Sequence, residues 1–252
     1  LTSIDIPNSV KEIDHNAFNE CDRLTSVTIP YGVEKMNGSI FYSCDNLTSI
    51  TIPISVTEFS DAILGECHAL HSIIIQANSI QELCHSDLNQ QIYEKSWHNG
   101  DVVHLFYVNG VELSGHVVIP EGITIINTKA FYNESKSNKI SSVEIPTTVA
   151  SIGEYALYGI PMVHINATTP PAIKSTNIID DNALIVLPDA ATLATYQSAP
   201  VWSDLANRMV TMDALQMRDV TITANSSLSA LHKSVGEENL MNTIRLKVRG
   251  TI

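Results

Sequence analysis

The residues best able to do chemistry here are cysteines and histidines, and they gather between positions 67 and 85. Cys67, His68, His71, Cys84 and His85 are donor types that hold zinc. A zinc tetrahedron is usually closed by two donor pairs, each pair a few residues apart, and these five donors do not follow that spacing. No metal is expected. The cysteines have two other readings. Cys21, Cys44 and Cys67 stand 23 residues apart, and a free thiol in phase with a core pattern behaves as a small buried hydrophobe. A stacked ladder of thiols is therefore expected. The alternative is a disulfide between Cys67 and Cys84, where the pattern changes shape. Such a bridge demands a particular Cα and Cβ geometry.

Other chemistry leaves fainter traces. There is no G-x-S-x-G elbow, no P-loop and no G-x-G-x-x-G. The carboxylates lie scattered, without a recurring facing pair. A glycosidase pair assembled by folding remains the enzymatic alternative. No catalytic residue and no cofactor is assigned, and the chain is expected not to be an enzyme. Charged residues are 16% of the chain and the net charge is −13. That balance excludes a nucleic-acid backbone, which calls for clustered Lys and Arg, and disfavours anionic lipid. No apolar run reaches the roughly 18 residues of a membrane helix, so direct membrane insertion is not expected.

Whatever these residues do, a repeat must position them. Leu1, Leu24, Leu47 and Leu70 start segments such as L-T-S-I-x-I-P, and the differences 24−1, 47−24 and 70−47 are all 23. Pro7, Pro30 and Pro53 keep the interval, as do Val10, Val33 and Val56, and Phe18, Phe41 and Leu64. Apolar residues at offsets four and six flank a polar one, the period-two signature of a strand. Proline ends the strand because it cannot donate to the ladder. The return path carries Val, Ile and Phe inward. One coil buries its apolar face only by stacking on the next, so the pattern predicts a right-handed solenoid of parallel strands.

The regularity breaks over residues 80–112. Residues 79–85 read as a short helix, and residues 102–116 as a hairpin with Asn109-Gly110 at its turn. The repeat resumes at Val117. Pro120 and Pro146 are 26 apart, so that coil carries extra residues, assigned to 133–138. Residues 162–165 and 183–188 read as strands, and 192–196 and 201–207 as helical. The divisions are therefore a solenoid over 1–169, a cap over 170–213 and a strand–helix–strand tail over 214–252. The tail is expected to open a second module. Leu1 stands at the first position of a repeat, so a preceding segment is expected as well.

The unit L-T-S-I-x-I-P-x-S-V-x-x-I-x-x-x-A-F-x-x-C resembles the repeat of BspA-type leucine-rich-repeat proteins, over residues 1–165. The resemblance implies an α/β leucine-rich-repeat solenoid with a curved parallel β-sheet, few short helices and a C-terminal cap. The interruption at 80–110 and the segment 170–202 are similar to an insertion and a cap in such arrays. It further implies a secreted or surface-anchored protein of a host-associated anaerobic bacterium, adhering to host or bacterial surface proteins. The family carries no catalytic motif and no binding residues defined position by position, so none is transferred. Tyr31, Met36 and Ile63 depart from the common repeat residues.

Two surfaces are candidates for contact. Outward strand positions form a ribbon rich in small hydroxyls, with Ser26, Thr28, Ser49 and Thr51 at its centre. Ser3, Asp5, Ser72, Ile74, His116, Val118, Ser142, Glu144, Met162 and His164 extend it. Ser and Thr equally suit any solvated strand face, and binding hot spots favour Trp, Tyr and Arg. The aromatic cluster of the insertion, Tyr93, Trp97, Phe106 and Tyr107, is the other candidate, read as protruding from the solenoid; the competing reading is that these aromatics pack onto the solenoid flank. The competing reading of the whole chain is a spacer that projects another surface domain.

Overall fold

Two small turns close each coil. The carbonyls of Pro7, Pro30 and Pro53 accept from the amides of Val10, Val33 and Val56, and those of Cys21, Cys44 and Cys67 accept from Leu24, Leu47 and Leu70. Proline thus ends the strand and its carbonyl anchors the turn that follows. A computed structural model describes residues 2–96, 102–133 and 139–216. The expected tail elements from 219 onward, and most of the extra segment 133–138, lie outside the described residues.

The first half of the chain runs through β1 (Glu12–Ile13), β2 (Ser26–Thr28), β3 (Lys35–Met36), β4 (Ser49–Pro53), β5 (Glu58–Phe59) and β6 (Ser72–Ala77). Helices α1 (Ile80–His85) and α2 (Leu88–Lys95) follow. Then come β7 (Val103–Val108) and β8 (Val111–Glu112). The main sheet is ordered β2-β4-β6-β7-β8, and a narrow second sheet is ordered β1-β3-β5. Main-sheet register matches the repeat, with Ser26 opposite Ser49, Thr28 opposite Thr51, Ile50 opposite Ile73 and Ile52 opposite Ile75. The inner rows Ile50, Ile73, Ile52 and Ile75 are buried.

The insertion does not protrude as expected. Strand β7 pairs in parallel with β6 along its whole length, so the insertion supplies one more strand to the sheet. Only β8 runs antiparallel, turning back through Asn109 and Gly110 at φ of 51° and 77°. These left-handed values are what the Asn-Gly pair provides. Helices α1 and α2 replace the return path of this coil. Ser79 caps α1 by accepting from the Glu82 amide, and the Lys95 and Ser96 carbonyls accept from Ala62 and Leu64 of the preceding coil.

The second half contains β9 (Gly115–Val118), β10 (Ile125–Ile126), β11 (Ile140–Ile145), β12 (Ser151–Ile152), β13 (Met162–Ile165) and β14 (Leu184–Leu187). Helix α3 (Ala190–Ser198), a 3-10 turn (Trp202–Arg208), β15 (Met209–Thr211) and the short helix α4 (Met212–Gln216) follow. The second main sheet is ordered β15-β14-β13-β11-β9, and all its pairings are parallel. The expected cap segment therefore extends the sheet by two strands. Its aromatics seal the last coils: Tyr196 Oη donates to the Ala167 carbonyl at 2.8 Å, and Trp202 Nε1 to that of Pro171 at 2.7 Å.

No disulfide forms. All four cysteines are free thiols, Cys21 half-buried and the others buried, which corrects the bridge considered for Cys67 and Cys84. Cys44 Sγ donates to the Phe18 carbonyl at 3.2 Å, and Cys67 Sγ to that of Phe41 at 3.0 Å. Each thiol thus satisfies a carbonyl one coil back, while Cys84 packs inward from α1. Among the described residues no three His, Cys, Asp or Glu side chains gather as metal donors.

The two halves are joined by buried polar groups. Asn89 of α2 donates through Nδ2 to the Lys129 and Tyr132 carbonyls at 2.6 and 3.1 Å, and its Oδ1 meets His104 Nδ1 at 2.6 Å. Asn133 Nδ2 donates to the His104 carbonyl at 3.1 Å. His104 occupies the inward row held by Ile50 and Ile73. A histidine survives there because a buried polar ring with partners avoids the desolvation penalty of an orphan.

Candidate binding surfaces

The hydroxyl ribbon lies where the alternation put it. Ser26 and Thr28 are exposed, Ser49 and Thr51 half-exposed. Their alternation with Val27, Ile50 and Ile52 keeps them off the core. On the second sheet the outward row is richer. His116 Nδ1 meets Ser142 Oγ at 2.7 Å, His116 Nε2 meets Glu144 Oε2 at 3.1 Å, and Asn166 Nδ2 donates to Glu144 Oε1 at 2.8 Å. The His164 ring stands edge-on to His116, centroids 5.6 Å apart. Hydrogen bonds from Asn166 and then His116 hold the Glu144 carboxyl below its usual range. Burial pushes the His164 imidazole down.

One neutral tautomer satisfies both bonds of His116: Nε2–H donates to Glu144, and Nδ1 accepts from the Ser142 hydroxyl. That is the polarity of a serine–histidine–carboxylate relay. Acyl transfer also requires preorganised donors aimed at the oxyanion, and the backbone around Ser142 is committed to strand pairing with β9 and β13. The arrangement laces three strands together. Ser142 and Met162, expected to face outward, are instead buried at 9% and 8% exposure, Ser142 beneath the His116 ring that it bonds.

The insertion's aromatics divide. Phe106 is buried at 2% exposure against Phe131, with centroids 5.6 Å apart. It continues the inner row of Ile52 and Ile75. Tyr107 stands half-exposed on the outward row beside Gln76. Trp97 lies outside the described residues. Tyr93, on α2, belongs to a cluster assembled from several coils.

That cluster is the densest aromatic surface among the described residues. Tyr93 meets Tyr132 edge-on at 4.7 Å; Tyr132 stacks on Tyr158 at 5.3 Å, and Tyr155 contacts Tyr158 at 5.8 Å. Lys129 Nζ stands 4.0 Å from the Tyr93 ring centroid and 3.5 Å from Glu94 Oε1. Cation–π attraction and the ion pair fix the lysine over the ring. Tyr93, Tyr155 and Tyr158 are half-exposed, whereas Tyr132 is buried. Sequence reasoning found Tyr93 and missed the other three. A signal existed: Tyr132 and Tyr158 differ by 26, the interval of Pro120 and Pro146.

Parallel strands, one-coil turns and a ladder of equivalent side chains define a repeat solenoid. The chain belongs to the BspA-type leucine-rich-repeat family, whose model matches residues 1–94 and 106–184 in six copies. Among solved structures it is similar to a leucine-rich cell surface protein from Faecalibacterium prausnitzii A2-165 (19% identity, TM-score 0.33, covering 88% of this chain and 65% of that one). It is also similar to the pneumococcal vaccine antigen PcpA (13%, 0.29, 81% and 58%) and to a leucine-rich-repeat protein from Eubacterium ventriosum ATCC 27560 (15%, 0.27, 72% and 65%). The chain spans less than two thirds of each of these three. A search of curated proteins returns no match. Among the described residues no helix is long and apolar enough to cross a membrane.

Proposed function

We propose that this chain is a non-catalytic, extracellular module of a bacterial surface protein, and that it adheres to a protein partner on a host or bacterial surface. The observation that supports this most is the tyrosine cluster of Tyr93, Tyr132, Tyr155 and Tyr158 on a rigid, repeat-built support. Tyrosine offers large contact area with few rotatable bonds and a polar tip, and is enriched where binding energy concentrates. Membership of the BspA-type family fits the same reading.

The test is capture of purified host matrix proteins and of intact bacterial cells by the immobilised chain. The comparison is with a Tyr93→Ala, Tyr155→Ala variant whose melting curve is checked for folding. We expect at least about a thirtyfold loss of affinity for every partner captured, the size of one lost hot spot. Undiminished binding overturns the tyrosine surface. A chain that captures nothing is a spacer.

A further inference from the structure

A second site lies where the insertion meets the regular coils. A groove of about 630 Å³ runs between the turns that follow Pro30 and Pro53 and the start of α1 and α2. That volume is in the usual range for a ligand site. Tyr31 and Ile54, the residues just after those prolines, form one wall; Gln81, Glu82, His85 and Asp87 stand on the other. Tyr31, read from sequence only as a departure from the repeat, spans the groove and donates from its hydroxyl to Glu82 Oε2 at 2.8 Å. The same oxygen accepts from the Asn78 amide at 2.9 Å. Asp87 Oδ1 accepts from Asn127 Nδ2 at 2.8 Å. The second oxygen of each carboxylate has no hydrogen bond to another described residue, and no Lys or Arg lines the groove.

We propose that this groove takes a lysine or arginine side chain presented by the protein partner, a refinement that rests on the protein-binding reading above. Three features converge on that ligand. The bonds from Tyr31, Asn78 and Asn127 pre-position the two carboxylates, so little ordering is left for the ligand to impose. Both carboxylates line a groove that holds no Lys or Arg, and Glu82 is half-buried, where a charge-assisted bond is stronger than at an open surface. The Ile54 side chain and the Tyr31 ring supply accessible apolar surface along the groove. They suit the aliphatic stem of a long basic side chain, which packs on apolar surface while its head stays polar.

The test uses the whole chain and a short peptide of alternating arginine and glycine, with a citrulline–glycine peptide as the uncharged match. The chain's net charge of −13 attracts any polycation, so charge must be removed at two places. Glu82→Gln with Asp87→Asn acts in the groove, and Asp45→Asn with Asp61→Asn removes the same charge at exposed positions outside it. We expect the groove variant to weaken arginine-peptide binding at least about tenfold and the outer variant less than about twofold. Asp87→Asn alone, at an exposed position, shows a smaller loss in the same direction and serves if the double variant fails to fold. Equal losses in both double variants, or equal binding of the citrulline peptide, overturn the proposal. So does tighter binding of neutral oligosaccharides that the groove variant abolishes, which would make this a sugar site. The two readings fail separately. Partner capture unaffected by the groove variant, with no arginine-peptide binding, removes the groove and leaves adhesion standing. Arginine-peptide binding without any captured partner keeps the groove and removes adhesion.

Discussion

Cysteine recurs at its slot because the fold there has one carbonyl to satisfy and little room. A thiol is small enough for the core and donates a weak bond to the phenylalanine carbonyl one coil back. Burial pushes the Cys44 thiol up to about 11 and those of Cys67 and Cys84 up to about 12. Thiolate is the reactive form, so at pH 8 a thiol reagent should label Cys21 in the native chain and the other three only after denaturation. The same groups set an alkaline limit. The folded chain keeps protons that the unfolded chain releases near the ordinary thiol value of 9.0. Their contribution is whole below that pH and falls as pH climbs through about 11 to 12. Denaturant midpoints measured from pH 8 upward should show the decline, and a flat profile would refute it. The 23-residue interval placed these thiols in phase with the core, but it held no sign of the carbonyls they serve, because that bond joins residues 26 apart.

At the scale of the element, the return path is made of left-handed turns as much as of strands. Asn16, Ser39 and Ala62 have φ near +57°, and so do Glu20, Ser43 and Glu66; each set is spaced by 23. A left-handed residue with a Cβ costs roughly 1 kcal/mol. Glycine removes the crowding at the expense of a freer unfolded chain. Glu66 is exposed and its one ion pair, to His68 at 3.4 Å, is on the surface, where such pairs contribute little. Glu66→Gly should therefore raise stability by up to about 1 kcal/mol, read as a higher urea midpoint at unchanged slope. The main strand positions, their ends at proline and the Asn109-Gly110 hairpin were legible because residue type alone determines them. The left-handed positions were not, because Asn, Ser, Ala and Glu take them only under the pull of neighbouring coils. Phe106 was misplaced for a related reason. An aromatic in an irregular segment reads as surface until its strand is known to continue the sheet.

Across the whole molecule, the two main sheets are coupled through Asn89, His104 and Asn133, which no repeat pattern announces because the partners are up to 43 residues apart. Asn89→Ala strips the Lys129 and Tyr132 carbonyls of a donor and His104 of a partner. The Lys129 carbonyl keeps the Tyr132 amide as a donor, so the loss is that of the hydrogen bonds themselves, about 1 kcal/mol each. Repeat arrays unfold as coupled neighbours. In a Trp97→Phe background the variant should therefore unfold in two steps, observed as separate transitions of Trp202 fluorescence, which then reports the second half, and far-ultraviolet circular dichroism, which reports both. One coincident transition at the wild-type midpoint would show that the halves are joined elsewhere. The tyrosine cluster bridges the same junction, so its geometry depends on that coupling, and Tyr93 alone could be read from sequence because only the insertion drew attention to it.

The backbone ladder of the return path carries a consequence of another kind. Phe18 donates to Ile40, Ser39 to Asp61 and Phe41 to Ile63, always 22 residues ahead, and Phe131 donates to Ala156 and Asn133 to Tyr158, 25 ahead. In these bonds each loop is addressed by its immediate neighbour, 22 residues ahead in the first half and 25 in the second. Duplicating one entire loop repeats those addresses, and the array lengthens by one strand spacing, about 4.8 Å. Such a chain has a quantised reach: tandem copying moves the two ends of the array apart without redesigning either.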